Sequence, residues 1–191
     1  MVIRTLIFLL MLSSCKFNKS DKRVNKSTII AEIENLKTEE EKQSFLENIY
    51  ERDQDIRNEL TNVLSSFSQK SEEYDQFLLK MIEIDNSNLE KIKQYLIAHG
   101  HPSMKLHSEK ACATPCLVIH HAIKMKPREE LFSYLYKGYI QGDIKPGAFS
   151  LYLNRFHEKK FGNRYKMSNP YREEDLIQNL IEKLGLMIIT N

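Results

Sequence analysis

The sequence predicts an all-α fold, one compact domain of six or seven helices. Three observations carry this. Apolar residues recur at helical spacing along most of the chain. Only six glycines and five prolines interrupt 191 residues, and no run alternates apolar with polar at period two. A chain of this length fills about one domain, and no internal repeat or change of composition divides it.

The elements follow in order. Thr38 and Glu41 have the spacing of a capping box and open a helix whose inward face carries Phe45, Leu46, Ile49, Tyr50 and Ile56. Residues 60–71 read as a link. Tyr74, Phe77, Leu78, Met81 and Ile82 form a clean helical stripe. Ser87 with Glu90 repeats the capping-box spacing and predicts a separate helix with Leu89, Ile92, Leu96 and Ile97 inward, stopping at Gly100 ahead of Pro102. The stretch CATPCLVIHHAIK, Cys112–Lys124, reads as a short helix, either continuous from Ala111 or opening with Thr114 as N-cap and Pro115 at its first position. Another starts at Pro127, with Glu129 and Glu130 in its first turn, and ends near Gly142. Pro146–Lys160 follows, with Phe149, Leu153 and Phe156 inward; residues 161–172 read as irregular; Glu173–Leu184 is closed by Gly185.

The N-terminus carries a different signal. Arg4 precedes the nearly all-apolar run Thr5–Met11. At about 1.5 Å per helical residue this run is far shorter than a hydrocarbon core of about 30 Å. Residues 1–14 therefore read as an export signal peptide. Leu12-Ser13-Ser14-Cys15 resembles the lipobox of bacterial lipoproteins. That resemblance implies cleavage before Cys15 and attachment of palmitate-like acyl chains there, and two or more chains hold a protein stably on a membrane. Residues 15–27 are polar and basic and read as a flexible tether to a domain spanning 28–191. Lys16, where lipoproteins retained at the inner membrane carry Asp, points to the outer membrane in a cell that has one.

Net charge is +2, which gives no global drive toward nucleic acid. The charge is unevenly spread. Ser27–Asp85 holds fifteen acidic and six basic residues, and Lys124–Arg172 holds eleven basic and four acidic. The basic half also holds ten aromatics between Phe132 and Tyr171. It reads either as a surface for an anionic partner or as the counterpart of the acidic half in packing.

Several side chains are candidates for chemistry. Asp53 and Arg57 lie at i, i+4 with the acid first, the spacing of a helix ion pair. With Gln54 they also suit a carboxylate held in a pocket as acid or base. Asp85 and Asn88 are expected at a helix start, in capping or turn roles. His99 and His101 read as exposed turn residues, and His107 and His157 have no evident partner. Cys112, Cys116 and His120 would rise along one helix side, but Ile119 and Ile123 share that arc, so the cysteines read as core. No fourth ligand is identifiable, and no metal or cofactor is expected. If Pro115 begins the helix, Cys112 folds back toward Cys116, and export makes a local disulfide the alternative. His120 and His121 are about 100° apart on a helix and are not expected to point into one site. His121 is the candidate acid–base group.

Asp53-Gln54-x-x-Arg57, Asp85-x-x-Asn88, Gly100-x-Pro102, His121-Ala122, Asn154-Arg155 and Gly162-Asn163-x-Tyr165 occur in this order. Together they resemble a bacterial domain family of unknown function with the landmarks DQxxR, DxxN, GxP, HA, DR and GxQxYGTQ. The resemblance covers roughly residues 50–185. It implies a shared fold. Asn154 stands where the family has Asp, Asn163 where it has Gln, and Lys166-Met167-Ser168 replaces GTQ, which puts a shared activity in question.

The expectation is a lipid-anchored protein of the bacterial cell envelope, tied to the membrane through Cys15, that binds an envelope protein or an anionic ligand and no nucleic acid. A second expectation is a hydrolase or proton-transfer enzyme with Asp53 and His121 catalytic, and Gln54, Arg57, Asp85, Asn88, Arg155 and Tyr165 binding substrate. A third is an inhibitor or immunity-like lipoprotein.

Overall fold

A computed structural model describes residues 26–166 and 172–186. The export segment, Cys15, most of the tether, Met167, Ser168 and Tyr171 lie outside the described residues. Eight helices and no strand occur among the described residues: α1 Lys26–Glu34, α2 Glu39–Ser66, α3 Glu72–His99, α4 Glu109–His121, α5 Met125–Glu130, α6 Phe132–Ile140, α7 Pro146–Phe161 and α8 Glu173–Leu184. They form one compact all-α domain. No helix among the described residues is long and apolar enough to cross a membrane.

Local signals start and stop most of these helices. Thr38 and Glu41 close a reciprocal capping box on α2, and Ser71 caps α3 through the Tyr74 N–H. Gly100, Gly162 and Gly185 end α3, α7 and α8 with φ of 75, 80 and 68°, where a side chain would be strained. The expected helix start at Ser87 does not form, and α3 runs through it unbroken. The stripe from Phe77 stays in phase with Ile92 and Leu96, all buried. Continuous packing therefore outweighs a local cap worth about 1 kcal/mol. Ile97, placed inward by the sequence, is exposed. The helix expected from Pro127 to Gly142 is broken at Leu131 into α5 and α6. The break lets Leu131 and Phe132 both enter the core while Arg128 turns back beneath α4.

Helix α4 is central, packing on α2, α3 and α7. It starts at Ser108, whose hydroxyl accepts from Ala111 N, not at Thr114. Pro115 lies buried inside it. The Thr114 hydroxyl donates to Lys110 O at 2.8 Å and lies 3.3 Å from Leu46 O of α2. Cys112 and Cys116 are free, buried thiols, and burial pushes each up to about 12, which leaves them inert. Amphipathic α8 closes the core with Leu176, Ile177, Leu180, Ile181 and Leu184, each worth about 1.5–3 kcal/mol when fully buried.

The remaining histidines are packed, against expectation. The His99 ring lies on Tyr95 at 5.1 Å and reaches Ile33 O. His101 presses on Gly138. His107 is buried with Nε2 3.1 Å from Glu39 Oε2, and His157 donates Nδ1–H to Asn163 O at 2.8 Å.

Candidate functional site

Helix register brings the candidates together. Phe45 stacks on Tyr95 and Arg57 pairs with Asp85, so α2 and α3 run antiparallel. Thr114 meets Leu46, and His121 meets Asp53, at the same sequence separation of 68, so α2 and α4 run parallel without slippage. Asp53, Asp85, Asn88 and His121 therefore belong to one level of the bundle.

Asp53 is buried at 1% exposure. Its Oδ1 is 2.9 Å from His121 Nδ1 and 3.5 Å from Arg57 Nη2, and its Oδ2 accepts from Gln54 Nε2 at 2.9 Å. Arg57 Nη2 also donates to Asp85 Oδ1 at 2.7 Å. Burial raises the Asp85 carboxyl above the usual carboxylate value, against the pull of Arg57. Asp85 and Asn88 lie in mid-helix, so neither is the cap that the sequence suggested. Asn88 is fully buried, and its amide finds no partner among the described residues.

A cleft of about 700 Å³ opens over this cluster. Arg57, Asp85, His120, His121 and Arg155 line it, with Asp53 behind His121. Both histidines reach the cleft, contrary to expectation, because α4 ends there at Ala122. Their rings meet edge to face at 5.2 Å and 70°. Burial, helped by His121, Arg128 and Arg155, lowers His120 to about 4, so its ring is neutral at pH 7. His121 Nε2 has no hydrogen-bond partner among the described residues, while its Nδ1 is held by Asp53.

Gln54 and Tyr165 stand apart from the cleft lining. Gln54 serves the Asp53 carboxylate. Tyr165 packs edge-on against His157 at 5.3 Å. Asn154 lines the cleft but is also a clamp: its Oδ1 accepts from Tyr165 N at 2.9 Å and its Nδ2 donates to Tyr165 O at 3.4 Å. Among the described residues, no three His, Cys, Asp or Glu side chains are placed to share a metal ion.

Sequence reasoning missed the rest of the lining. Lys159 and Arg164 extend the basic side, and Ser150 lies between the cleft and Glu173, to which its hydroxyl donates at 3.0 Å. Leu60, Met81, Ile82, Ile123 and Leu151 form an apolar wall. Met81, Ile82 and Ile123 belong to apolar stripes in the sequence, which periodicity cannot distinguish from the wall of a cleft. Comparison of the chain with protein-family models, curated proteins and solved structures gives no match.

Proposed function

We propose that the chain is a lipid-anchored protein of the bacterial envelope whose cleft performs acid–base chemistry of a hydrolytic or proton-transfer kind. The observation that carries this reading is the contact of His121 Nδ1 with the buried Asp53 Oδ1 at 2.9 Å. The carboxylate accepts a hydrogen bond from Nδ1–H and so holds the proton on that nitrogen, which leaves the Nε2 lone pair free for the cleft. Nε2 then accepts a proton from a bound water or substrate and returns it to a leaving group. Asp53 stabilises the imidazolium formed in between. Arg57 and Gln54 occupy the remaining carboxylate positions, so Asp53 holds one orientation. Acylated Cys15 keeps the cleft near a membrane surface.

Nitrogen-15 NMR of the full chain tests this without a known substrate. The neutral His121 ring is expected as the Nδ1–H tautomer. Asp53→Ala is expected to shift it toward the Nε2–H form. An Nε2–H tautomer in the unaltered protein overturns the reading.

A second reading, a binding module, has its own support. The cleft pairs four cationic side chains, Arg57, Arg155, Lys159 and Arg164, with one lining carboxylate, Asp85. In that reading the dyad is a structural anchor and the cleft only holds its ligand.

A further inference from the structure

The lining of the cleft combines two chemistries. Ile82, Ile123 and Leu151 are 36, 52 and 54% exposed. They come from α3, the α4–α5 link and α7, yet all three line the same cleft. Single exposed apolar residues are ordinary; convergence from separate elements into a concave wall marks a binding surface.

The lining also carries unbalanced positive charge. Arg57 is already engaged by Asp53 and Asp85. Arg155 and Arg164 share a single carboxylate, Glu158, at 2.8 and 3.5 Å. Lys159 has no ion pair among the described residues. Behind them Arg128 is fully buried and touches only carbonyls, those of His120 and Ala122, through Nη2. Its Nε and Nη1 have no partner among the described residues. A buried cation without a carboxylate is costly, and its field reaches His120, Lys159 and Arg155.

We propose that the cleft takes an anionic amphiphile, with its phosphate or carboxylate among Arg155, Lys159 and Arg164 and its hydrocarbon part along Ile82, Ile123 and Leu151. His121 lines the same cleft, so the ligand is held in the space that the proposed base faces. The inference rests on the cleft being the working site, in either reading given above.

Calorimetry on the purified full chain tests it with three soluble probes: hexyl phosphate, inorganic phosphate and hexanol. Hexyl phosphate is expected to bind at least about tenfold more tightly than either fragment. Arg155→Ala and Leu151→Ser, both at half-exposed or exposed positions, are each expected to weaken it by about tenfold. Displacement of hexyl phosphate by vesicles of phosphatidylglycerol would support a membrane lipid as the source, and no displacement a soluble amphiphile. Equal binding of inorganic phosphate or hexanol, no binding of any probe, or indifference to both substitutions overturns the proposal. Failure of the acid–base reading is separately visible: an Nε2–H tautomer at His121 alongside tight hexyl phosphate binding discards the chemistry and keeps the ligand.

Discussion

His121, the last residue of α4, holds its Nδ1 2.9 Å from Oδ1 of Asp53, a carboxylate buried in the middle of α2. Asp53 thereby ties the end of one helix to the centre of another, and three donors converge on it. Asp53→Ala strands His121 Nδ1 and Gln54, and leaves Arg57 with Asp85 alone. Breaking a buried pair costs about 3–5 kcal/mol. Arg57 keeps a partner, so the expected loss is about 2–3 kcal/mol. Urea unfolding of the full chain measures it, and a loss under about 0.5 kcal/mol would show that the contact holds nothing together.

Acid should destabilise the domain through two histidines. Burial lowers both His101 and His120 from 6.5 to about 4. The folded chain keeps these rings neutral while the unfolded chain protonates them, so stability falls as pH drops from 6.5 to about 4. Their stabilising contribution is complete above 6.5 and is lost progressively below it. The slope through this window should correspond to up to about two protons, and His120→Gln should remove about one of them. Urea midpoints that do not move between pH 7 and 5 would contradict this.

Much of the fold was legible because its signals are local. The capping box at Thr38–Glu41 and the stops at Gly100 and Gly185 depend only on neighbouring residues, and the structure uses all three. The Ser87–Glu90 spacing misled because a cap competes with packing, and Phe77, Ile92 and Leu96 keep one phase through it. Pro115 left the start of α4 open because a proline inside a helix costs about 3 kcal/mol, a cost that the packing of α4 on α2, α3 and α7 outweighs here. The polar half of the site was legible as residues, Asp53, Arg57, Asp85, His121 and Arg155, though Asp85 was expected at a helix end. The apolar wall was not, since Ile123 and Leu151 differ from core residues only in what stands across from them. Pairing over a separation of 68 residues is likewise invisible in periodicity.

Gly138→Ala should destabilise the protein even though alanine is the better helix former. A Cβ at 138 would lie 2.6 Å from Nδ1 and 2.7 Å from Cγ of His101. That ring is tied to Pro102 O at 2.8 Å and cannot swing clear. The gain in helix propensity is about 0.5–1 kcal/mol, and overpacking costs about 1–3 kcal/mol, so the net change is a loss. His101→Ala should restore stability to Gly138→Ala by vacating the space. A double variant no more stable than Gly138→Ala would place the defect elsewhere.

Cys15→Ala should release the protein from membranes and abolish fatty-acid labelling. The proposed anchor is an acylated thiol at Cys15, from the resemblance of Leu12-Ser13-Ser14-Cys15 to a lipobox, and a short apolar run cannot replace a multi-chain anchor. Metabolic labelling with a palmitate analogue, followed by membrane fractionation, reads both effects. Unchanged labelling of the variant would refute the anchor.

Asn154→Asp separates the two halves of a clamp. The amide accepts from Tyr165 N and donates to Tyr165 O, a pairing that a carboxylate can only half reproduce. Aspartate keeps the acceptor and turns its second oxygen, also an acceptor, toward the carbonyl. The expected cost is about 1–2 kcal/mol, from one lost bond and an opposed pair of oxygens. The Tyr165 amide should stay protected from hydrogen exchange, while the Tyr165–His157 ring contact loosens and changes the His157 resonances. In the family resemblance proposed from the sequence, position 154 is one of the departures, Asn where the landmark has Asp. A variant that loses no stability would mean that the 162–166 segment is held by His157 and Asn163 alone, and that asparagine here answers to the cleft rather than to the loop.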